Sequence, residues 1–314
     1  MKSEIALAKN SSRFNDFLKN VKKDKFLLII ILPAVLYFLI FYYMPMYGVI
    51  IAFEKFNIAK GILGSPLIGF EYFERFFNSI YFFRLIRNTF VISFYSMVVN
   101  FTIPLLFAIM LNEVKSNIFK RTIQTISYFP YFISTVVVVG MLTNFLSMDS
   151  GIVNILMKNI GLEQIDFLNQ SSSFRPIYIL SGLWQSFGWN AIIFIGAIGA
   201  ISPEMYEAAS IDGVTRLQKI FYITLPCIFP VIVTLLILSL GGILNVGFEK
   251  IILMYNGNTM ETADVLSTYV YRTGIVGGDY SFGAAVGLFN SVINLIFIVV
   301  TNTVSKRFTN ISLW

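Results

Sequence analysis

The sequence predicts an all-α integral membrane protein with six transmembrane helices, and two observations carry that prediction. Of the 314 residues, 56% are hydrophobic and only 13% are charged, and the mean hydropathy is +0.75. Soluble domains average about 25% charged residues, so the low charge indicates that lipid is the solvent for most of the chain. The hydrophobic residues also form long continuous runs, which fit helices and not the alternating strands of a membrane barrel.

Six runs are long enough to cross a bilayer, because a hydrocarbon core of about 30 Å needs about 20 helical residues. They cover residues 26–48, 89–111, 123–147, 176–200, 226–247 and 282–304. We expect residues 26–314 to form a single transmembrane domain. Residues 1–25 should form a basic cytoplasmic tail, either as a short helix on the inner leaflet or as an unstructured segment.

The distribution of Lys and Arg predicts that both termini lie in the cytoplasm. With that orientation, the inner side carries the larger share of the 23 basic residues, and Lys19, Lys22, Lys23 and Lys25 stand directly before the first span. The net charge of +6 belongs to the tails and short loops. A basic stripe typical of nucleic-acid binding is missing, so membrane lipid is an expected partner and nucleic acid is not.

Missing residue types exclude other functions. The chain has no histidine and a single cysteine, so neither a disulfide framework nor a Cys/His zinc site is expected. A phosphate-binding G-x-x-x-x-G-K-[ST] loop does not occur. A membrane enzyme would need a catalytic cluster, and an ion- or proton-driven carrier would need titratable residues in mid-membrane. The sequence offers neither, and the carrier stays as the alternative to the function suggested below.

One polar segment, SPEMYEAASIDGVTRLQKIFYITLP at 202–226, interrupts the apolar sequence. Ser202 is placed to cap a helix with Pro203 at its first position, and Gly213 suits its left-handed end. Thr215 can cap a second short helix over 216–222, before Pro226 opens the fifth span. The sequence therefore predicts two short helices at an angle on the inner surface.

The first of these helices has the features of a docking element. Ala208 and Ala209 leave a nearly bare backbone face, and Glu207 and Asp212 flank it. Such a face fits a groove on another protein, where the acids can meet basic residues. The alternative is an ordinary cytoplasmic loop that is needed only for folding.

The segment resembles the EAA loop of binding-protein-dependent ABC importer permeases. The residues that match that pattern are Glu207, Ala208, Ala209, Asp212, Gly213, Ile223, Leu225 and Pro226. In that family the segment is the coupling helix that docks into a cleft of the cytoplasmic ATPase subunit. The resemblance implies that the loop 202–225 couples the chain to such a subunit. The residues expected to make this coupling are Glu204, Glu207, Ala208, Ala209, Asp212, Gly213, Leu225 and Pro226. The resemblance also implies that ATP and Mg bind to the partner ATPase subunits, with no cofactor in this chain.

Three further stretches resemble the sugar permeases of the same family, closest to the oligosaccharide permeases that include an alginate-oligosaccharide importer. They are MPMYGVIIAFEKFN (44–57), IGFEYFERFF (68–77) and ADVLSTYVYRTGI (263–275). The resemblance implies an oligosaccharide substrate, delivered by an extracytoplasmic solute-binding protein. It also implies an ATPase dimer and a second permease subunit. We expect the two permease subunits to be different chains that form a heterodimer, and a homodimer is the alternative.

Polar residues within the spans predict the route of the sugar, because such residues are costly in lipid and face an interior cavity. The candidates lie on spans four to six: Trp184, Gln185, Trp189, Asn190, Ser239, Asn245, Glu249, Asn290 and Asn294. Amides suit sugar hydroxyls, and tryptophan rings suit the apolar faces of sugar rings. By family analogy, the span after the EAA loop touches the sugar, which favours Ser239 and Asn245. The alternative is that the amides join helices, at about 0.6 kcal/mol for each bond.

Overall fold

The computed structural model describes residues 23–309 and 311–313, and the regular elements in this part are all helical. One isolated bridge, between Glu54 and Leu67, is the strand-like pairing found among these residues. The chain divides into two units, one ending at Gly69 and the other beginning at Phe70. The predicted tail helix lies outside the described residues, as does all of the tail before Lys23. The predicted all-helical class is confirmed.

The first unit contains α1, Lys25–Phe53, and the short α2, Gly61–Gly64. α1 is unbroken, although its turn at Leu39–Tyr43 is widened to a π-helix. Pro45 follows that turn. Because proline has no N–H and crowds the carbonyl of the preceding turn, a widened turn lets the helix continue past it.

The second unit contains the remaining helices. In chain order they are α3 (Glu71–Phe77), α4 (Phe82–Asn112), α5 (Asn117–Phe132), α6 (Thr135–Leu146), α7 (Ile152–Asn159), α8 (Ser171–Gly199), α9 (Pro203–Ile211), α10 (Arg216–Gly241), α11 (Phe248–Met254), α12 (Met260–Ala263), α13 (Leu266–Val270) and α14 (Tyr280–Thr309). By length and composition, α1, α4, α10 and α14 can each cross a membrane. The described chain has up to six spans if the bent pairs α5–α6 and α8–α9 each count as one.

The third apolar run differs from the single helix predicted over 123–147. It forms α5 and α6, whose axes differ by 97°. Pro130 lies in a 3₁₀ turn at the end of α5, and the hydroxyl of Ser134 accepts a hydrogen bond from the Val137 amide at 3.4 Å to begin α6. A proline that removes a helical bond, followed by a serine cap, ends one helix and starts another.

The fifth apolar run differs from its prediction at both ends. The helix expected over 226–247 begins at Arg216, so the expected separate helix 216–222 is its first part. A second π turn, Ile220–Thr224, precedes Pro226 and keeps α10 continuous. The helix then ends at Gly241, where two adjacent glycines favour a break. The apolar residues beyond it are buried in a loop; these are Ile243, Leu244 and Val246.

Close packing of α8 against its neighbours organises the second unit. α8 packs along α4, and their interface includes the buried Phe194 and Ala108. At Gly188, α8 comes so close to α5 that an added Cβ would lie 2.2 Å from the Ser127 carbonyl oxygen. Only glycine permits this approach, which fixes the position of the aromatic residues at the end of α5 relative to α8.

A buried acid joins three parts of this unit. The sequence places Asp264 and Arg272 in an outer loop, where an exposed pair would contribute little, but Asp264 has no exposed surface. Its carboxylate accepts hydrogen bonds from both Arg272 guanidinium nitrogens at 3.1 and 2.8 Å, from Arg84 at 3.4 Å and from the Thr268 hydroxyl at 2.9 Å. Asp264 and its two arginines therefore form a buried tie between α4 and the chain around α13.

We predict that Asp264→Asn lowers the free energy of unfolding by about 3 kcal/mol. This is the lower end for breaking a buried ion pair, because both guanidinium groups reach partly into solvent. Thermal unfolding of the purified protein in detergent measures the change. Glu163→Gln, at an exposed carboxylate, is the matched control and should leave the unfolding temperature unchanged. Equal unfolding temperatures for the two variants would contradict the prediction.

Candidate functional site

A cavity of about 660 Å³, the main cavity, opens between α4, α8, α10 and the loop after α10. Four of the residues predicted for a sugar route line it: Trp189, Asn190, Ser239 and Asn245. Its volume lies within the range of about 300–1,000 Å³ that is usual for small-molecule sites. The lining combines aromatic rings, amides and hydroxyls, which together can contact both the ring faces and the hydroxyls of a sugar.

Trp189 is the aromatic residue best placed to contact a ligand. Its indole stacks on the ring of Tyr131 with centroids 4.5 Å apart and planes 1° from parallel, and Phe132 meets it edge-on at 5.7 Å. Even so, 39% of Trp189 is exposed. The rings of α5 hold the indole in a fixed orientation, and the exposed remainder is free to stack against a sugar ring.

The predicted amides of the fifth and sixth spans have different settings. Asn245 lies in the loop after α10 and not in a helix, and its Oδ1 accepts a hydrogen bond from Asn294 Nδ2 at 3.1 Å. The Leu244 amide donates to Asn294 Oδ1 at 3.1 Å. Asn294 therefore ties α14 to this loop and orients Asn245. The Asn290 Oδ1 is buried and has no hydrogen-bond partner among the described residues.

Asn290 and Asn294 do not line the main cavity, and three further predicted residues lie apart from it. Gln185 lines a second cavity of about 320 Å³ and donates to the Ile133 carbonyl at 2.8 Å. Trp184 lines a third, largely apolar cavity of about 360 Å³ with residues of α6. Glu249 is exposed at the start of α11 and lines none of these three cavities. The structure thus separates Trp184 from Trp189, which the sequence grouped together.

α4 contributes polar lining that the sequence analysis missed. Ser93, Ser96 and Asn100 line the main cavity, and Ser186 donates a hydrogen bond to Asn100 Oδ1 at 3.1 Å. Their spacing of three and four residues puts them on one helical face. The criterion applied to spans four to six, polar residues within an apolar run, would have found them in span two.

A second missed residue, Lys250 on α11, lines the second cavity and is 7% exposed. Its ammonium donates to the Tyr178 carbonyl at 3.1 Å and lies 5.1 Å from the centre of the Tyr178 ring. Among the described residues, no carboxylate lies within 4.0 Å of it. Burial lowers the pKa of Lys250 to about 8. The sequence signal that could have identified Lys250 is an ionisable residue inside an apolar run.

The polar segment between α8 and α10 forms the helix that the sequence predicted. Its axis turns by 68° from α8, with Ser202 at the N-cap position, though without a side-chain hydrogen bond, and Pro203 as its first residue. Gly213 has φ +71°, so the helix ends in the left-handed conformation that was expected. Thr215 and Gln218 then form a reciprocal capping box at the start of α10.

The predicted pair of alanines does not form one exposed face. Ala208 is exposed, whereas Ala209 is buried against its own chain. The exposed stripe follows the spacing of three and four residues instead, and it contains Glu204, Glu207, Ala208 and Ile211. Ile211 is 88% exposed, an unusual setting for a large apolar side chain next to acids. Asp212 is also exposed, while Leu225 is half-buried and Pro226 exposed within α10.

Two side-chain contacts fasten α9 to α10. The hydroxyls of Tyr206 and Thr224 are hydrogen-bonded at 2.9 Å, and the Lys219 ammonium donates to the Ser210 hydroxyl. Thr224 is fully buried in the π turn of α10. The short helix is therefore attached to the foot of α10 by its buried side, while its acidic and apolar stripe is left exposed.

Comparison with known proteins places these features in a family. The family model described as "binding-protein-dependent transport system inner membrane component" matches residues 100–310. Protein LplB of Bacillus subtilis is 42% identical over 288 residues, covering 92% of this chain and 91% of the relative. The polygalacturonan/rhamnogalacturonan transport system permease protein YteP of the same organism is 42% identical over 286 residues, covering 91% and 89%.

Two solved structures of a bacterial alginate ABC transporter have the same fold. A chain of the transporter described as importing the acidic polysaccharide alginate aligns with TM-score 0.87 and 44% identity, covering 94% of this chain and 99% of that one. The same values hold for the structure in complex with a periplasmic protein bound to alginate pentasaccharide.

We predict that Gly213→Ala lowers the free energy of unfolding by about 1–2 kcal/mol, the cost of a left-handed conformation for a residue with Cβ. An added Cβ at Gly213 meets nothing within 4 Å, so the effect isolates backbone strain. Gly257→Ala, also in open space but without a positive φ, is the control in thermal unfolding. Gly213→Asn should be milder than Gly213→Ala, and the reverse order would rule out strain as the cause.

Proposed function

Because this chain belongs to the binding-protein-dependent transport system inner membrane component family, we propose that it translocates an oligosaccharide through the main cavity. Membership of the family identifies the chain as a membrane-embedded transport component and not as an enzyme. The observation that carries the proposal is the lining of the main cavity, where the held indole of Trp189 meets Asn190, Asn245 and Ser239. Relatives named for polygalacturonan and arabinooligosaccharide transport support the substrate class.

α9 is proposed to dock into a separate ATPase subunit as a coupling helix. In support, its exposed stripe combines Glu204 and Glu207 with Ala208 and the exposed Ile211. Acids next to an apolar side chain suit a groove that has basic residues at its rim. In this proposal ATP and Mg bind to the ATPase dimer, and this chain holds no cofactor.

The remaining subunits follow from the same class of transporter. A solute-binding protein is proposed to deliver the sugar to the outer side, in keeping with the alginate transporter whose structure includes a periplasmic protein. A second permease subunit is proposed to complete the pathway as a heterodimer.

The proposed topology has six spans, with residues 26–314 as one permease domain. In it α5 and α6 together make span three, and α8 makes span four. Both termini lie in the cytoplasm, which the lysines before α1 and the pair Lys306 and Arg307 at the end of α14 support. This orientation puts α9 on the cytoplasmic side, where an ATPase is available.

For the route, we predict that Trp189→Ala reduces oligosaccharide uptake about tenfold, because stacking of a sugar on the indole is lost. Trp184→Ala is the matched control, since Trp184 lies five residues earlier on α8 but lines the apolar third cavity. Uptake of labelled oligosaccharide into proteoliposomes that contain the whole complex measures the effect. Equal losses in the two variants would place the route elsewhere.

For coupling, we predict that Glu207→Lys and Ala208→Trp leave the amount of permease in the membrane unchanged but remove sugar-stimulated ATP hydrolysis. The first variant replaces attraction by repulsion, and the second holds the partner surface away. Glu163→Lys, a charge reversal at an exposed residue between α7 and α8, is the control. Co-purification of the ATPase gives the second readout. Normal hydrolysis in both variants would refute the docking proposal, and loss of the permease itself would favour a folding role.

A further inference from the structure

Lys250 carries a buried charge that no carboxylate among the described residues balances. The contrast with Asp264 is informative, since that buried carboxylate is closed off by two guanidinium groups and a hydroxyl. The Lys250 ammonium has one backbone carbonyl and one ring face, both from Tyr178. Burial of an ion without a counter-ion is destabilising, and an apolar residue would be more stable in its place. A buried ionisable group that faces a cleft is a candidate for a functional role.

The cavity beside Lys250 has several polar side chains in its lining. The second cavity, of about 320 Å³, is also lined by Asn100, Gln185 and Ser186. Gly182 adds no side chain there, and a Cβ at that position would lie 3.5 Å from the Lys250 ammonium. The cavity shares Ser96, Asn100 and Tyr178 with the main cavity. The two cavities are therefore adjacent, and a ligand in the main cavity lies next to the cavity that Lys250 lines.

This arrangement matches an anionic sugar better than a neutral one. An ammonium on a flexible stem is a compact point charge, and it forms short, strong hydrogen bonds with carboxylates. The amide and hydroxyl groups beside it suit the remaining hydroxyls of the same sugar ring. Tyr178 lies seven residues after the start of α8, about 10 Å along the helix. In the proposed topology, that start is the outer end of α8.

We propose that the Lys250 ammonium binds the carboxylate of a uronate residue in the translocated oligosaccharide, near the outer end of the route. The inference rests on the proposed function and assigns a substrate class to it. A purely structural Lys250 would fasten α11 to α8 through the Tyr178 carbonyl. That role predicts equal losses for all sugars, whereas carboxylate binding predicts a loss that depends on the charge of the sugar.

The test uses proteoliposomes that contain the complete transporter with its solute-binding protein. Uptake is measured for trigalacturonate and for its carboxyl-reduced form, in which each carboxylate is a primary alcohol. Lys250→Gln should raise the KM for trigalacturonate at least tenfold, and Lys250→Arg should restore it to within about threefold. Any loss on the reduced form should be at least fivefold smaller. Lys158→Gln, which removes an exposed charge from α7, is the control and should match the unmodified protein.

The other outcomes separate the two proposals. An unchanged KM in Lys250→Gln, or equal losses on both sugars, would overturn carboxylate binding and leave the transport proposal standing. If the unmodified complex takes up only the reduced form, carboxylate binding is likewise overturned and the transport proposal still stands. Uptake of neither sugar would overturn this inference, and uptake of an arabinooligosaccharide by the same complex would then show that the proposed function still stands. If the unmodified complex takes up only trigalacturonate, the KM values of the two variants decide. A raised KM in Lys250→Gln that Lys250→Arg restores supports carboxylate binding, and equal KM values in the two variants would overturn it.

A measurement on the unmodified complex covers the case in which Lys250→Gln does not assemble. The ammonium is charged below its pKa of about 8 and neutral above it, so the KM for trigalacturonate should rise between pH 7 and pH 9. Lys250→Arg should abolish that rise, because a guanidinium stays charged. The same rise in Lys250→Arg would overturn the proposal.

Several other ionisable groups lie near Lys250. α8 offers the Tyr178 phenol, α5 offers the Tyr131 phenol in the lining of the second cavity, and α6 carries no ionisable residue. On α13, Tyr269 contacts the rings of Tyr81 and Phe282. On α11 itself, Glu249 is exposed. The Arg variant leaves all of these groups in place, so it isolates the contribution of Lys250.

Discussion

The need to satisfy backbone hydrogen bonds in lipid constrains every other feature of this protein. Helices meet that need within themselves, and each proline in a span threatens it by removing a donor. At three prolines the helix itself changes, in one of two ways. Before Pro45 and Pro226 a π turn widens and the helix continues, whereas at Pro130 the helix ends and Ser134 starts another at 97°. That break lets the aromatic end of α5 lie against α8, where it holds Trp189.

The sequence predicted what depends on local composition and missed what depends on distant packing. Six apolar runs, the left-handed Gly213 and the Thr215 cap are local signals, and each has a counterpart in the structure. The end of α10 is not local. Ile243, Leu244 and Val246 continue the apolar run, yet they are buried in a loop, and an apolar run alone does not distinguish a helix from a buried loop. Asn245 therefore reaches the main cavity from a loop.

The candidate site was predictable to a similar extent. Polar residues in apolar runs gave Trp189, Asn190, Ser239 and Asn245, and the same criterion applied to span two would have added Ser96 and Asn100. The separation of Trp184 from Trp189 depends on the helix face, and so does the burial of Ala209 beside the exposed Ala208. Lys250 could have been found as an ionisable residue in an apolar run, but its contact with Tyr178, 72 positions away in the chain, is encoded by no local pattern.

The two candidate sites are joined by one continuous helix. α10 begins at Arg216, where the Thr215 cap and the Tyr206–Thr224 hydrogen bond fasten it to α9, and it reaches Ser239 in the main cavity. That interval of 23 residues corresponds to about 35 Å of helix. Coupling over such a distance needs a rigid element that both sites can bias. The π turn that carries α10 past Pro226 therefore does more than satisfy the backbone, because a break there would separate α9 from the cavity.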